Sequence, residues 1–295
     1  MSQPTLYLVD ASIYVFRAWH SMPDHFSDTD GWPTNAVHGF VRFLLDLMER
    51  TQPEHMVVAF DQSLDQCYRN EIYPSYKANR APAPEDLLRQ FDYCRSLCEA
   101  MGLPVLGDLR YEADDLIGSA LHAMRPQGFR GVIVSADKDL SQLLHDRDEQ
   151  WDFARGQRWT HEGCMERHGV KADQIADYLA IAGDAIDNIP GIPGIGNKTA
   201  ATLLNHFGTL DALLARIDEV EFLSGLRGAK SVASKLREHG DLALLYRQLT
   251  RIAVDAPIGD TQHRFARERP DPSRLSPLVE TLKLGPVTKR RLHAC

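Results

Sequence analysis

At 295 residues, with 33 Lys+Arg against 41 Asp+Glu and 43 % hydrophobic residues, the chain has the makeup of a globular protein with room for a core and an appended domain. That makeup excludes a disordered, collagen-like or disulfide-framework chain, and no run of ~18–20 apolar residues offers a membrane span. The formal net charge of −8, taken alone, argues against a polyanionic partner. The start, Met1-Ser2-Gln3-Pro4, lacks the basic region of a secretory signal, and the five cysteines (67, 94, 98, 164, 295) lack paired zinc spacing. A cytoplasmic protein with reduced thiols is therefore expected.

Thr5–Val9 is a short apolar run and predicts a strand, with Asp10 at its end. Residues 37–48 follow with apolar positions at 37, 40, 41, 44, 45 and 48, the spacing of an amphipathic helix. Met56–Phe60 is a second strand-like run, ended by Asp61. Residues 66–95 differ, being rich in Tyr, Arg and Pro, and a polar-faced helix is expected over 87–98. Leu116, Ile117, Ala120, Leu121 and Met124 repeat the helical spacing, and Gly131–Ser135 is a third strand-like run, followed by Ala136-Asp137-Lys138-Asp139. Continuous apolar runs alternating with helices predict an α/β fold around a parallel sheet. From about Val170 the pattern is helical, over 174–182, 198–207, 210–217 and 231–249, and the last thirty residues are Pro/Arg-rich and weakly helical. The expected division is 1–169, carrying an insertion at about 66–100, then 170–264, then a tail 265–295.

Three strands ending in Asp10, Asp61 and Asp137 bring three carboxylates to one edge of an open α/β sheet, where ligands bind. A lone aspartate after a strand is as readily a turn former or helix cap. Three on one edge repel unless a cation lies between them. Glu112, Asp114 and Asp115 at a helix start, then Asp139, Asp184 and Asp187, bring the set to nine. Oxygen ligands without His or Cys favour Mg²⁺ or Mn²⁺, and so many acids fit two ions about 4 Å apart. Setting nine acids aside turns −8 into about +1, so the remaining surface is free to be locally basic.

Cys67–Arg80 mixes rings, Tyr76 among them, with cations, a combination that suits single-stranded nucleic acid. Its Lys77 and Arg80 lie downstream of Asp61, in place to stabilise charge on a phosphate. Gly191-Ile-Pro-Gly-Ile-Gly-Asn-Lys-Thr199 almost matches a P-loop, but Asn197 separates the second required Gly from Lys198. The better reading is a turn between helices in which Gly194, Gly196, Lys198 and Thr199 approach the phosphates of a duplex backbone.

In chain order, Leu8-Val-Asp10-Ala-Ser, Val58-Ala-Phe-Asp61, Tyr76-Lys-Ala-Asn-Arg80, Glu112-Ala-Asp-Asp115, Ser135-Ala-Asp137-Lys-Asp139 and the run Gly183–Ala200 resemble the 5′-nuclease (flap endonuclease) superfamily. The likeness is to its bacterial 5′→3′ exonuclease type, also found as the N-terminal part of family-A DNA polymerases. With the chain ending at Cys295, a free-standing relative is expected. The resemblance implies a PIN-like, mostly parallel sheet flanked by helices, a helical arch and a C-terminal helix–three-turn–helix module. It implies a first metal on Asp10, Asp61, Glu112 and Asp114, and a second on Asp137, Asp139, Asp184 and Asp187, with Asp115 outer or shared. Lys77 and Arg80 match the arch positions that steer the phosphate, and Phe16, Arg17 and Arg69 match places that contact the substrate near its 5′ end. The family's hairpin can also hold a monovalent cation such as K⁺. The expected activity is two-metal cleavage of 5′-flap, nicked or 5′-ended DNA, including RNA primer remnants, by a monomer. Two alternatives stand beside it, a non-catalytic binder of branched DNA and a PIN-type ribonuclease, though toxin-like PIN domains are much shorter.

Overall fold

The computed structural model describes residues 3–62, 66–259, 261 and 265–294. Of the expected free thiols, Cys67, Cys94, Cys98 and Cys164 are reduced and buried, while Cys295 lies outside the described residues. In chain order the elements are β1 (Thr5–Asp10), α1 (Ala11–Ser21), α2 (Asn35–Thr51), β2 (His55–Ala59), α3 (Tyr68–Ile72), α4 (Glu85–Ala100) and β3 (Val105–Leu106). There follow α5 (Ala113–Met124), β4 (Arg130–Val134), β5 (Glu149–Asp152), β6 (Gln157–Thr160), α6 (Gly163–His168) and α7 (Ile175–Ala182). The chain closes with α8 (Asn197–Phe207), α9 (Leu210–Ala215), α10 (Ile217–Val220), α11 (Ala229–Thr250), α12 (Pro272–Thr281) and α13 (Pro286–Ala294). Among the described residues six strands form one sheet in the order β3-β2-β1-β4-β5-β6, parallel throughout except for the β5–β6 pair.

The sheet is buried on both faces, as the apolar runs require, and side chains alternate between two cores. Val9, Met56, Val58, Phe60, Val132 and Val134 pack with α1, α2 and α4. Leu6, Leu8, Val57, Ala59 and Ile133 pack with α5. The register aligns the C-terminal ends of three strands: Asp10 pairs with Ala59, and Val9 with Val134. Asp61 and Asp137 therefore leave the sheet beside Asp10, two residues beyond Ala59 and three beyond Val134.

A third core, including Ile175, Leu203, Leu204, Leu213 and Leu236, builds the helical module over α7–α11. A small cluster of Cys67, Tyr76, Ala180, Ile189, Tyr246 and Leu249 joins that module to the insertion. Within the insertion α4 belongs to the layer against the sheet, where buried Gln90 accepts from the backbone N–H groups of Ala36 and Val37 at the start of α2. The turns over 73–80 instead lie along the loop 184–188. Lys77 N–H donates to the Asp187 carbonyl (3.0 Å), Asn79 to that of Ala185 (3.0 Å) and Asn188 to that of Ser75 (2.6 Å).

The final stretch, read from sequence as a weakly helical tail, returns to the first core. Leu275, Val279, Leu282, Leu284 and Leu292 are buried there, and Arg291 clamps Asp46 and Glu49 of α2. Phe265 lies in the opposite core, its carbonyl accepting from Met56 N–H.

Candidate metal and nucleic-acid site

Asp10 sits where β1 runs directly into α1. Its carboxylate caps the helix through Ile13 N–H (3.4 Å) and accepts from Ser135 Oγ (2.8 Å). Ser135 also accepts from Asp137 N–H (3.0 Å), so one buried hydroxyl fixes two of the acids. Asp61 accepts from Ala113 N–H (2.9 Å), which ties the end of β2 to the start of α5, and its own N–H donates to Ser12 Oγ (3.2 Å). Ser12 and Ser135 were not singled out in the sequence; the signal available was their closeness to Asp10 and Asp137.

These carboxylates act on one another. Burial, then the charges of Asp61 and Asp137, push the Asp10 carboxyl up to about 7. Burial and then Asp137, Asp10 and Asp61 raise Asp114 well above the usual carboxylate range. Asp139 is raised likewise, by burial and then by Asp137, with Lys138 pulling the other way. One oxygen of Asp139, Oδ1, is buried with no hydrogen-bond partner among the described residues.

On the helical-module side the acids are met by cations. Lys77 Nζ lies 2.5 Å from Glu112 and 3.8 Å from Asp187, and Arg80 reaches Asp187 at 2.7 Å. Lys138 Nζ lies 2.6 Å from Asp184 and 3.7 Å from Asp139. Burial favours neutral Glu112, but Lys77 and Arg69 outweigh it and hold its carboxyl below the usual range. Asp187 is raised, by burial in spite of Lys77 and Arg80.

Eight of the nine acids thus form two adjoining groups, Asp10/Asp61/Asp114/Asp137 and Glu112/Asp139/Asp184/Asp187. Among the described residues, no three His, Cys, Asp or Glu side chains converge closely enough to enclose an ion as they lie. The chemistry of the set nevertheless fits hard divalent cations. The donors are all carboxylate oxygens, their mutual repulsion raises the affinity for protons and cations alike, and Asp139 Oδ1 is buried with no donor among the described residues.

Three expectations need correction. Asp115 is not available as a ligand: it is fully buried, Arg69 binds both its oxygens at 2.6 and 2.8 Å, and the N–H groups of Glu112 and Ala253 donate to them as well. Arg69 is not a surface contact for DNA. At 2 % exposure it also donates to Glu112 and to the carbonyls of Leu249 and Arg251, joining α3, α5 and the end of α11 through its fork of donors. Tyr76 is not free to stack on a base either. Its ring is buried and its hydroxyl donates to Glu112 (2.8 Å), with Asp187 a second acceptor within reach (3.1 Å).

Phe16 is exposed on α1, edge-on to Phe91, and Arg17 is exposed beside it. At the hairpin, Gly183 and Gly191 have φ of 85° and 68°, and a Cβ on Gly191 would lie 2.4 Å from the Gly183 nitrogen, so the two backbones meet with no room for a side chain. Gly194, Gly196 and Lys198 are exposed and Thr199 is half-buried, at the start of α8. The Gly194 carbonyl accepts from Lys235 Nζ at 3.1 Å, so an internal ammonium already serves one carbonyl of the segment expected to hold K⁺.

Residues 5–171 match the family model for the 5′-3′ exonuclease N-terminal resolvase-like domain, and residues 170–273 that for the 5′-3′ exonuclease C-terminal SAM fold. The chain belongs to the 5′-3′ exonuclease family. It is 34 % identical over 297 residues to DNA polymerase I of Rhizobium leguminosarum, covering 98 % of this chain and 28 % of that protein. It is 39 % identical over 259 residues to DNA polymerase I of Pseudomonas aeruginosa, covering 88 % and 28 %. The chain thus spans under a third of the length of these relatives. The T5 D15 protein co-crystallized with metal ions superposes with a TM-score of 0.69 at 20 % identity, covering 94 % of this chain and 99 % of that one. The catalytic core of Rad2 in complex with DNA substrate gives 0.66 at 16 %, covering 98 % and 92 %. Both likenesses establish the shared fold, a PIN-like domain with a helical SAM-like module.

Proposed function

We propose that this member of the family is a divalent-metal-dependent, structure-specific 5′ nuclease, both 5′→3′ exonuclease and flap endonuclease, acting as a monomer on 5′-flap, nicked or 5′-ended DNA and on RNA–DNA primer remnants. The observation that carries this reading is the mutual repulsion of Asp10, Asp61, Asp114 and Asp137 at aligned strand ends, beside cations on the 73–80 turns. Folding alone gives no reason to gather such a set, because each buried carboxylate destabilises its neighbours. In this reading Asp10, Asp61, Glu112 and Asp114 hold one Mg²⁺ or Mn²⁺, and Asp137, Asp139, Asp184 and Asp187 hold another. Two bound divalent ions supply Lewis acidity at the attacking and leaving oxygens of a phosphodiester.

The chain's own residues then do the positioning. Ser135 and Ser12 fix the Asp10, Asp61 and Asp137 backbones and side chains. Lys77 and Arg80, released from Glu112 and Asp187, stabilise charge on the phosphate. Gly194, Gly196, Lys198 and Thr199 hold the duplex backbone, and Phe16 and Arg17 meet the strand near its 5′ end. A monovalent ion at the hairpin would share its carbonyls with Lys235.

The test is Mg²⁺-dependent release of short products from a 5′-flap duplex by the purified chain. No cutting with either Mg²⁺ or Mn²⁺ would sink the nuclease reading. The saturation of Glu112, Asp184 and Asp187 by lysine and arginine favours the non-catalytic binder as second reading. That reading expects flap binding without turnover, unchanged by Asp137→Ala.

A further inference from the structure

A groove of about 800 Å³ opens beside Asp184, lined by Lys138, Arg167, His168, Tyr178 and, at the first residue of α8, Asn197. Lys138 and Asp184 both line the groove, with the ammonium on the carboxylate. Asp184 commits Oδ1 to the Ile186 N–H (2.9 Å) and offers Oδ2 to Lys138 (2.6 Å). Asp139 Oδ1, which no hydrogen-bond donor among the described residues reaches, has the same ammonium 3.7 Å away. The oxygens that these two acids could give to an ion are thus the ones facing Lys138. Its side chain is 40 % exposed, so it is a counter-ion able to leave without unpacking a core.

The groove wall is the place for it to go. Arg167 lies exposed there, stacked 3.9 Å over the Trp159 ring; among the described residues its hydrogen bond goes to the neutral Gln157 and no carboxylate pairs with it, so its charge stays available. Burial first, then the charges of Arg167 and Lys138, press the His168 imidazole down to about 4, which leaves that wall position neutral at physiological pH. Two cations flanking an open groove fit a phosphodiester backbone.

We propose that Lys138 is a transferable counter-ion: it neutralises Asp184 and Asp139 when no divalent cation does, and once divalent cations take those carboxylates its ammonium turns into the adjoining groove and, with Arg167, grips the phosphate backbone of a bound strand. This deepens the nuclease reading and rests on it for the identity of the strand. It makes metal binding and DNA binding mutually reinforcing through one side chain, since each removes the other's competitor.

The experiment compares wild type with Lys138→Met and Lys138→Arg, each checked for an unchanged melting temperature, with Lys138→Gln in reserve should the Met variant misfold. Calorimetric titration with Mn²⁺ alone is expected to give ~5–10-fold tighter binding of one ion to Lys138→Met; unchanged or weaker binding overturns the proposal. Anisotropy with a labelled 5′-flap duplex is then read in EDTA and in Ca²⁺, which takes the same oxygen ligands. Lys138→Met is expected to match wild type within twofold in EDTA and to bind ~10-fold weaker in Ca²⁺. In Ca²⁺ alone its salt slope should fall by about 0.9, the signature of one lost phosphate contact, and Lys138→Arg should restore it. Equal loss in both conditions would mark a fixed contact and no loss a mere surface ion pair; either overturns the proposal. Failure of wild type to cut the flap in Mg²⁺ would count against the nuclease reading, whereas the Mn²⁺ titration judges the counter-ion on its own.

Discussion

Among the described residues, Asp10, Asp61, Asp114 and Asp137 have no lysine or arginine hydrogen-bonded to them, whereas neighbouring Glu112, Asp115 and Asp187 are held by Arg69, Lys77 and Arg80. Both sets are largely withdrawn from water on the same edge of the same sheet. At Asp10 and Asp114 burial and like charge act together and push the carboxyls up; in Glu112, fixed cations overturn burial. The first arrangement costs stability, whereas the cations around Glu112 more than offset its burial. An edge that carries both keeps its unfavourable acids for something other than folding.

The sharpest way to break that contrast is to remove one acid from each set. Asp114→Asn takes a charge from the repelling group. It is expected to raise stability without divalent ions by ~0.5–2 kcal/mol while lowering Mg²⁺-dependent cleavage by ~10³ or more, the loss of several kcal/mol of charge stabilisation. Denaturant unfolding and flap cleavage measured on the same preparation decide it. A destabilised variant that still cuts would place Asp114 among the structural acids.

Arg69→Met tests the paired set. It leaves Asp115 buried at 0 % exposure without its cation, which costs ~3–5 kcal/mol. Because the Leu249 and Arg251 carbonyls lose a donor too, the end of α11 should lose amide-exchange protection before the sheet does. Replacing both partners, as Arg69→Met with Asp115→Leu, should recover part of the loss. An Arg69→Met protein of normal stability but poor DNA affinity would return Arg69 to the surface role its sequence context suggested.

That context shows where the sequence was legible. Three apolar runs identified β1, β2 and β4, and their terminal aspartates pointed to the edge where the candidate site is gathered, because buried parallel strands and carboxylates at strand ends both leave local signals. The two-residue β3 was too short to register. The polar pair β5 and β6 also left no apolar run: Gln150 and Asp152 are buried there, and Gln150 spends its amide on the Ser135 and Asp137 carbonyls (3.2 and 2.5 Å). Arg69 and Tyr76 lie in a stretch of rings and cations that reads as an exposed grip on nucleic acid. The burial of Arg69 depends on Asp115, 46 residues beyond it, and on Leu249, 180 beyond it, and that of Tyr76 on Glu112, Asp187 and Leu249, which no local pattern encodes. The last helices were hidden similarly, since Leu275, Val279 and Leu292 gain meaning only against α2 and α4.

Acidity should separate the two sets in solution. Asp10, with a carboxyl near 7 in the fold against an ordinary 3.8, keeps a proton between about pH 4 and 7 that the unfolded chain has released. The unfolded state then binds fewer protons, so stability without divalent ions falls as pH rises through that window, by up to ~1.4 kcal/mol per unit for one such group. The contribution is complete below about pH 4 and lost above about pH 7. Divalent cations compete for the same carboxylates, so the rise in melting temperature on adding Mg²⁺ should be small near pH 5 and grow toward pH 8. Asp10→Asn should flatten the metal-free profile. A melting temperature that climbs with pH without Mg²⁺ would show the paired acids governing the edge.

The smallest effect concerns the hairpin, and it separates a standing contact from a switched one. Lys198 is exposed in the first turn of α8, two residues after Gly196, where backbone N–H groups and a side-chain ammonium both favour an anion. Among the described residues no carboxylate pairs with its ammonium: its neighbours in the turn are Asn197 and Thr199, and its carbonyl accepts from Thr202. Lys198→Ala should therefore weaken duplex binding about equally across base sequences and lower the salt slope by about one, with EDTA and Ca²⁺ giving the same loss. Lys138, parked on Asp184, predicts a loss only with divalent cations present. If Lys198→Ala also showed its effect in Ca²⁺ alone, metal binding would be reshaping the helical module as a whole, and dependence on divalent cations would no longer mark a cation stored on the acids.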